Sequence, residues 1–122
     1  MKFYVASRTA RASDILHIRA SLLELGHEVY DWTIFASIKR PYIENEVAPI
    51  AAEELQAVKD ADIFILLGDE GGTGMYVELG YALATNTKIY CIGNHNDLTV
   101  FQYLPQVTRV DSFEEVLKDL SK

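Results

Sequence analysis

The chain has 122 residues, 49% of them hydrophobic, and a formal net charge of −7. This length predicts one domain over residues 1–122 with a single hydrophobic core. The acidic balance and the scattered basic residues exclude DNA and RNA polymers as expected partners, because such binding needs a basic face.

Several other classes are also excluded by simple features. No apolar run reaches the roughly 18 residues that a membrane helix needs, and MKFYVAS does not resemble a signal peptide, so we expect a cytoplasmic protein with no membrane partner. Cys91 is the only cysteine and lies in KIYCI, where we expect it to be a core residue. His17, His27 and His95 lack metal-ligand spacing, so we predict no metal and no cofactor.

The N-terminal part predicts a strand, a helix and a second strand. Lys2–Ala6 is a short aromatic and β-branched run typical of a strand. Ser13 is the predicted N-cap of a helix over residues 14–25, and Gly26 is its predicted end. Residues 27–31 are the second strand. This order predicts a parallel crossover.

The middle of the chain predicts a long loop followed by helices and a buried strand. Residues 32–48 suggest a functional loop with some helix, and Pro49 is predicted to begin a helix that ends near residue 60. Ile63–Leu67 is an apolar run of the kind found in parallel sheets. A glycine-rich turn over residues 68–74 then leads into a helix that ends at Thr85.

The C-terminal part predicts two strands and a last helix. Residues 88–93 are the fourth strand, and residues 106–110 are the fifth. Ser112, with Glu115 three residues later, matches a capping box at the start of the final helix.

The element order predicts a doubly wound α/β fold of the flavodoxin-like or Rossmann-like kind, with a mostly parallel five-stranded sheet flanked by helices. In such sheets, ligands bind outside the carboxyl ends of the strands. Residues 7–11 and 68–74 follow the first and third strands, so we expect these two loops to meet at one edge.

Glu78 is the first candidate for chemistry. It is the only charge in residues 71–87, which read GGTGMYVELGYALATNT. A carboxylate in such an apolar run costs several kcal/mol unless it has a use. An ionised carboxylate near a helix N-terminus suits attack on a sugar carbon or stabilisation of an oxocarbenium-like centre. The alternative is a capping or salt-bridge role.

The turn formed by Gly71, Gly72, Thr73 and Gly74 precedes that helix and could bind a phosphate or a sugar through free backbone N–H groups. It lacks the third glycine of the dinucleotide fingerprint and the GK[ST] of a P-loop. The alternative is a tight turn that only packs.

Four further residues are candidates with open alternatives. Glu54 lies beside the apolar stripe of the second helix, where it could contact a substrate or be solvated. Tyr4 could place its hydroxyl on a carboxylate or be a core residue. Arg8 and Arg11 could hold a phosphate or be solvated.

The chain resembles the nucleoside 2-deoxyribosyltransferase family, which includes the 2′-deoxynucleoside 5′-phosphate N-hydrolases. The resemblance is carried by FYVAS, by ELQAVKDADIFILL and above all by GGTGMYVELGYALA, and it extends through Ile92. It implies that Glu78 is the nucleophile that attacks C1′ of the deoxyribose and that Tyr4 orients it. The aspartate that positions the substrate in the family's phosphate hydrolases is replaced here by Glu54.

The resemblance also implies contacts around the phosphate and the neighbouring subunit. Ser7 and Arg8 loosely match the family's first loop, whereas Gly72 replaces a side chain that the family often has as aspartate or serine. A residue near the C-terminus often completes a neighbour's site, and the candidates are Asn94, Asn96 and Gln102.

The favoured function is therefore cleavage of the N-glycosidic bond of a 2′-deoxynucleoside or its 5′-phosphate, by base transfer or by hydrolysis. The partners would be a small nucleoside or nucleotide and further copies of the chain in a homodimer or larger homo-oligomer. Two alternatives are a non-catalytic nucleotide-binding sensor and an enzyme that hydrolyses the nicotinamide–ribose bond of NAD.

Overall fold

The computed structural model describes residues 1–122 and contains one five-stranded sheet. The strands are β1 (Lys2–Ala6), β2 (Glu28–Val29), β3 (Ile63–Leu67), β4 (Lys88–Ile92) and β5 (Val107–Val110). All four strand pairs are parallel, and the strand order is β2-β1-β3-β4-β5. The predicted doubly wound α/β fold is therefore confirmed.

Helices connect the strands and cover both faces of the sheet. The α-helices are α1 (Ala12–Glu24), α2 (Glu44–Asp60), α3 (Thr73–Ala84) and α4 (Phe113–Leu120). Right-handed crossovers in this strand order place α1 on one face and the adjacent α2 and α3 on the other. None of these helices has the length and apolar character that crossing a membrane would require.

The core lies on both sides of the central strands. Every residue of β3 (IFILL) is buried, as expected for a parallel strand covered on both faces. β1 and β4 are buried after their first residue, and Cys91 in β4 is a fully buried core residue as predicted. The central strands therefore form a rigid base for the loops at their carboxyl ends.

Two predictions in the N-terminal part are wrong in detail. Helix α1 begins at Ala12 with Arg11 at the cap, and Ser13 is not the cap, because a 3₁₀ turn over Thr9–Arg11 leads directly into the helix. The second strand is much shorter than residues 27–31, since β2 lies at the sheet edge and pairs only with β1. The chain then turns at Asp31.

The predicted start of the second helix is also wrong. Helix α2 begins at Glu44, so Pro49 lies inside the helix and the expected loop over residues 32–48 is shorter. Glu44 and Glu46 lie in the first turn of α2, where negative charge interacts favourably with the helix dipole. The loop itself contains a short 3₁₀ helix over Trp32–Phe35.

At the C-terminal end, half of the predicted capping box is present. The Ser112 hydroxyl accepts a hydrogen bond from the Glu115 N–H at 3.4 Å. The Glu115 carboxylate, however, accepts from the Asp111 N–H at 2.9 Å and not from the cap residue itself. The helix start is thus correct, but the second hydrogen bond is shifted by one residue.

The carboxyl ends of β1 and β3 lie side by side, because these strands are neighbours in the sheet. The strand order changes direction here, with β2 on one side and β3 to β5 on the other. Gly68 directly follows β3 and packs against the loop after β4, where a Cβ would clash with the His95 carbonyl group. The first loop and the glycine turn therefore meet at the switch point of the sheet.

Candidate active site

Glu78 lies in the second turn of α3 and receives a hydrogen bond from the centre of the sheet. The Tyr4 hydroxyl in β1 donates to Oε2 of Glu78. The Tyr4 ring is fully buried between Tyr30 and Phe64, with both centroid distances 5.7 Å and interplanar angles of 12° and 6°. Phe64 lies on the neighbouring strand β3 and Tyr30 directly follows β2, so the two rings hold the Tyr4 hydroxyl in its direction.

The surroundings of Glu78 favour its neutral form. Burial raises the pKa of Glu78 from 4.5 to about 7, and the charge of Glu54 adds to this, whereas the hydrogen bond from Tyr4 acts in the opposite direction. Burial and the Glu78 charge also raise the pKa of Tyr4 well above its usual range. Tyr4 therefore remains a hydrogen-bond donor, and Glu78 changes protonation state near neutral pH.

Glu54 is a second half-buried carboxylate at the same place. It lies on α2, the helix next to α3. Burial, followed by the neighbouring Glu53 charge, raises the pKa of Glu54 above its usual value. Glu54 and Glu78 line one cavity. Two carboxylates thus line the same cavity, and the charge of Glu54 makes ionisation of Glu78 less favourable.

The cavity has a volume of about 750 Å³ and is open to solvent on one side. This volume lies within the range of small-molecule sites. Its walls come from the first loop, the segment after β2, and helices α2 and α3. Three aromatic rings form part of its apolar wall: Trp32, Phe35 and Tyr42. Trp32 is fixed, since its Nε1 donates to the Val5 carbonyl at 2.7 Å.

Arg8 lies across the glycine turn at one side of the cavity. Gly72 has a φ of +86°, and a Cβ there would lie 2.8 Å from Cβ of Arg8. A Cβ at Gly71 would lie 3.2 Å from Cζ of the same arginine. The absence of side chains at these two glycines therefore lets Arg8 lie close to the backbone of the turn. A tight turn alone would not need two glycines here.

Asp69 joins the two arginines of the first loop to this turn. Its carboxylate lies 3.5 Å from Nη1 of Arg8 and 3.7 Å from Nη1 of Arg11. Burial acts to raise the pKa of Asp69, but hydrogen bonds from the backbone of Gly71 and Glu70, together with the two arginines, lower it below its usual value. The sequence analysis missed Asp69, although its position two residues after the end of β3 placed it at the ligand-binding edge.

The structure brings most of the predicted site residues together. Seven of them line the cavity: Ser7, Arg8, Glu54, Gly72, Thr73, Gly74 and Glu78. Two do not: Tyr4 lies behind Glu78, and Gly71 lies beneath the Arg8 side chain. The Ser7 hydroxyl is mostly buried and donates to the Arg8 carbonyl at 2.9 Å.

The C-terminal candidates for a neighbour's site differ in their availability. Gln102 is fully buried; its Oε1 accepts from the Thr99 N–H, and its side-chain amide donates to the His95 carbonyl. Asn96 donates to the Val110 carbonyl at 2.9 Å. Asn94 is exposed. Asn96 and Gln102 thus hold their own loop together, which leaves Asn94 as the available side chain.

No group of three or more His, Cys, Asp and Glu side chains is arranged to hold a metal ion. The polar groups of the cavity are carboxylates, hydroxyls, arginines and backbone N–H groups. Such groups bind sugar hydroxyls and phosphates by hydrogen bonds and charge.

No protein-family model and no curated protein matches the chain. Solved structures do match its fold. The CMP N-glycosidase BcmB of Clostridium botulinum superposes with a TM-score of 0.67 at 18% identity, over 99% of this chain and 98% of that chain. A conserved protein from Enterococcus faecalis V583 superposes with a TM-score of 0.62 at 19% identity, over 99% of this chain and 97% of that chain. The fold is therefore shared along its whole length.

We predict that Glu78→Gln stabilises the protein at neutral and alkaline pH. The pKa of Glu78 is raised from 4.5 to about 7, so its contribution to stability is fully present below pH 4.5 and is lost as the pH rises through 7. A glutamine avoids the buried charge and still accepts the Tyr4 hydrogen bond. Its free energy of unfolding should exceed that of the wild type by an amount that grows to about 3 kcal/mol across this window.

Guanidinium unfolding from pH 4 to 9 measures this difference. Glu24→Gln, at the exposed end of α1, gives the baseline effect of losing one negative charge. A wild-type advantage at pH 8 would contradict the prediction.

Proposed function

We propose that the chain cleaves the N-glycosidic bond of a nucleoside or nucleotide, with Glu78 as the nucleophile. The observation that carries the proposal is the hydrogen-bonded pair of buried Tyr4 and half-buried Glu78 at a cavity of nucleotide size. A carboxylate that costs stability and faces an open cavity has a use in chemistry. The fold shared with a protein named as a CMP N-glycosidase supports the same class of reaction.

The proposed reaction has two displacements at C1′ of the sugar. An oxygen of ionised Glu78 attacks C1′, the C1′–N bond breaks, and its electron pair leaves with the base. Water then attacks C1′ of the glycosyl ester, the C1′–O bond to Glu78 breaks, and the carboxylate is restored. One proton of that water ends on the released base. Configuration at C1′ is retained.

The surrounding groups have separate tasks in this proposal. Tyr4 holds the attacking carboxylate in position and favours its ionised form. Glu54 accepts a hydrogen bond from a sugar hydroxyl, and the aromatic wall contacts the base. Arg8, Ser7 and the backbone of the turn over Gly71, Gly72, Thr73 and Gly74 bind a 5′-phosphate. A base in place of water would give transfer in place of hydrolysis.

We predict that Glu78→Ala lowers kcat/KM for base release by roughly a thousandfold or more, because it removes the nucleophile. The assay follows free base by chromatography after incubation with ribonucleosides, 2′-deoxynucleosides, their 5′-monophosphates and NAD, with and without an acceptor base. Glu70→Gln, an exposed carboxylate in the turn after β3, is the control and should retain activity.

The same panel separates the alternatives. Release of nicotinamide alone would favour an NAD-cleaving enzyme, and tight binding without any base release would favour a sensor. Full activity in Glu78→Ala would refute the proposed mechanism.

We predict that Arg8→Ala raises KM for a 5′-monophosphate by roughly tenfold or more and leaves KM for the matching nucleoside within twofold. The reason is that a charge-assisted bond to phosphate is lost and no sugar contact changes. Lys39→Ala is the control for a lost positive charge, since Lys39 is exposed and is not part of the cavity wall. Equal effects on nucleoside and nucleotide would contradict a phosphate role for Arg8.

We also propose that the chain self-associates through the segment over residues 98–108, which carries no charge. Val100, Phe101 and Tyr103 are 77%, 60% and 56% exposed. Copies of a chain with net charge −7 repel one another, so contact is favoured where no charges meet. A second copy presents the same exposed apolar side chains, so the two segments can pair with one another.

Sedimentation equilibrium tests this surface. We predict a concentration-dependent dimer that Phe101→Asp dissociates, because it brings two carboxylates together at the contact. Leu16→Asp, at an exposed apolar position on α1, should leave the dimer intact. A monomer at all concentrations, or dissociation by the control alone, would refute the proposal.

A further inference from the structure

Asp69 is a charged residue next to the cavity that the proposed reaction does not use. Its backbone carbonyl accepts a hydrogen bond from the Tyr76 hydroxyl at 2.7 Å, and its Oδ1 accepts from the Gly71 N–H at 3.4 Å. Its side chain is only 19% exposed, although it is not part of the cavity wall. The carboxylate is therefore held at a fixed place on the glycine turn.

Two arginines of the first loop contact this carboxylate, and they differ in how they are held. Nη1 of Arg8 lies 3.5 Å from Oδ1 of Asp69, and Nη1 of Arg11 lies 3.7 Å from Oδ2. Arg11 has further anchors, because its Nη1 donates to the Gly68 carbonyl at 3.2 Å and its Nε donates to Asp14 at 3.0 Å. The Arg8 guanidinium has Asp69 as its one polar partner. Of these three side chains, only Arg8 lines the cavity.

The charges of this cluster leave Arg8 available to an anion. Asp69 alone would neutralise Arg8, and a phosphate would then compete with the carboxylate for the same guanidinium. Because Asp69 is shared between Arg8 and Arg11, the three side chains together keep one positive charge. Asp14 also contacts Arg11, but it is 53% exposed, so solvent screens its charge.

We propose that Asp69 is a positioning residue that holds the Arg8 guanidinium at the cavity for a phosphate, and that Arg11 limits the competition between Asp69 and this phosphate. The phosphate contact of Arg8 rests on the proposed function. An arginine that is already ordered loses less conformational freedom when its ligand binds, so the affinity is higher. The cluster would thus favour nucleotides over nucleosides, although two of its members do not line the cavity.

The test is calorimetric binding of nucleosides and their 5′-monophosphates to protein that carries Glu78→Gln, which prevents turnover. Asp69→Asn should weaken binding of a monophosphate roughly three- to tenfold and leave that of the matching nucleoside within twofold. Asparagine keeps an oxygen that can accept from the Gly71 N–H, so the turn should form. Glu70→Gln removes a neighbouring exposed carboxylate and should leave both affinities unchanged.

A double-mutant cycle shows whether Asp69 acts through Arg8. In an Arg8→Ala background, Asp69→Asn should change the affinity for the monophosphate by less than about twofold, because the residue that it positions is absent. Arg11→Ala in the otherwise intact cluster should also weaken binding of the monophosphate, since it leaves Asp69 to neutralise Arg8.

Three outcomes would overturn the proposal. Tighter monophosphate binding in Asp69→Asn would mean that the carboxylate only competes with the phosphate. An equal loss for nucleoside and monophosphate would mean a general structural role. Absence of any preference for monophosphates in the parent protein would remove the phosphate contact itself. Failure of the proposed function would appear differently, as absent base release with the phosphate preference and its dependence on Asp69 intact.

Discussion

A hydrogen bond from Tyr4 to Glu78 connects the centre of the sheet to helix α3, and the rest of the site depends on it. It directs one carboxylate toward an open cavity and favours the ionised form of that carboxylate against the effect of burial. The rings of Tyr30 and Phe64 hold the tyrosine between them. The buried central strands of the sheet therefore direct this carboxylate toward the cavity.

This arrangement costs stability. Burial and the nearby Glu54 charge both oppose ionisation of Glu78. A chain selected only for folding would have an apolar residue or glutamine at this position. Another side of the cavity also holds a charged side chain in place. Arg8 pairs with Asp69 and lies over a turn whose glycines let it approach the backbone. Each of these two charged side chains, Glu78 and Arg8, is thus held in position by its neighbours.

Local patterns in the sequence were enough for the order of the elements along the chain and for the choice of Glu78 as a candidate. An apolar run such as β3 indicates a buried parallel strand, and the lone charge of Glu78 in an apolar stretch made it a candidate, which the structure places at the cavity. The contacts of Tyr30 and Asp69 could not. Their partners lie far away along the chain, and only the three-dimensional structure shows that these side chains meet. The start of α2 was missed because Pro49 is tolerated inside the helix.

The most direct measurement of the central claim is the mass of the protein during turnover. Rapid acid quenching of the enzyme with a cleaved substrate, followed by intact mass spectrometry and peptide mapping, detects a covalent sugar adduct. The account predicts the mass of one glycosyl group on the peptide that contains Glu78, and no adduct in Glu78→Gln. Base release with no adduct under these conditions and an inverted configuration at C1′, or an adduct on another residue, would contradict it.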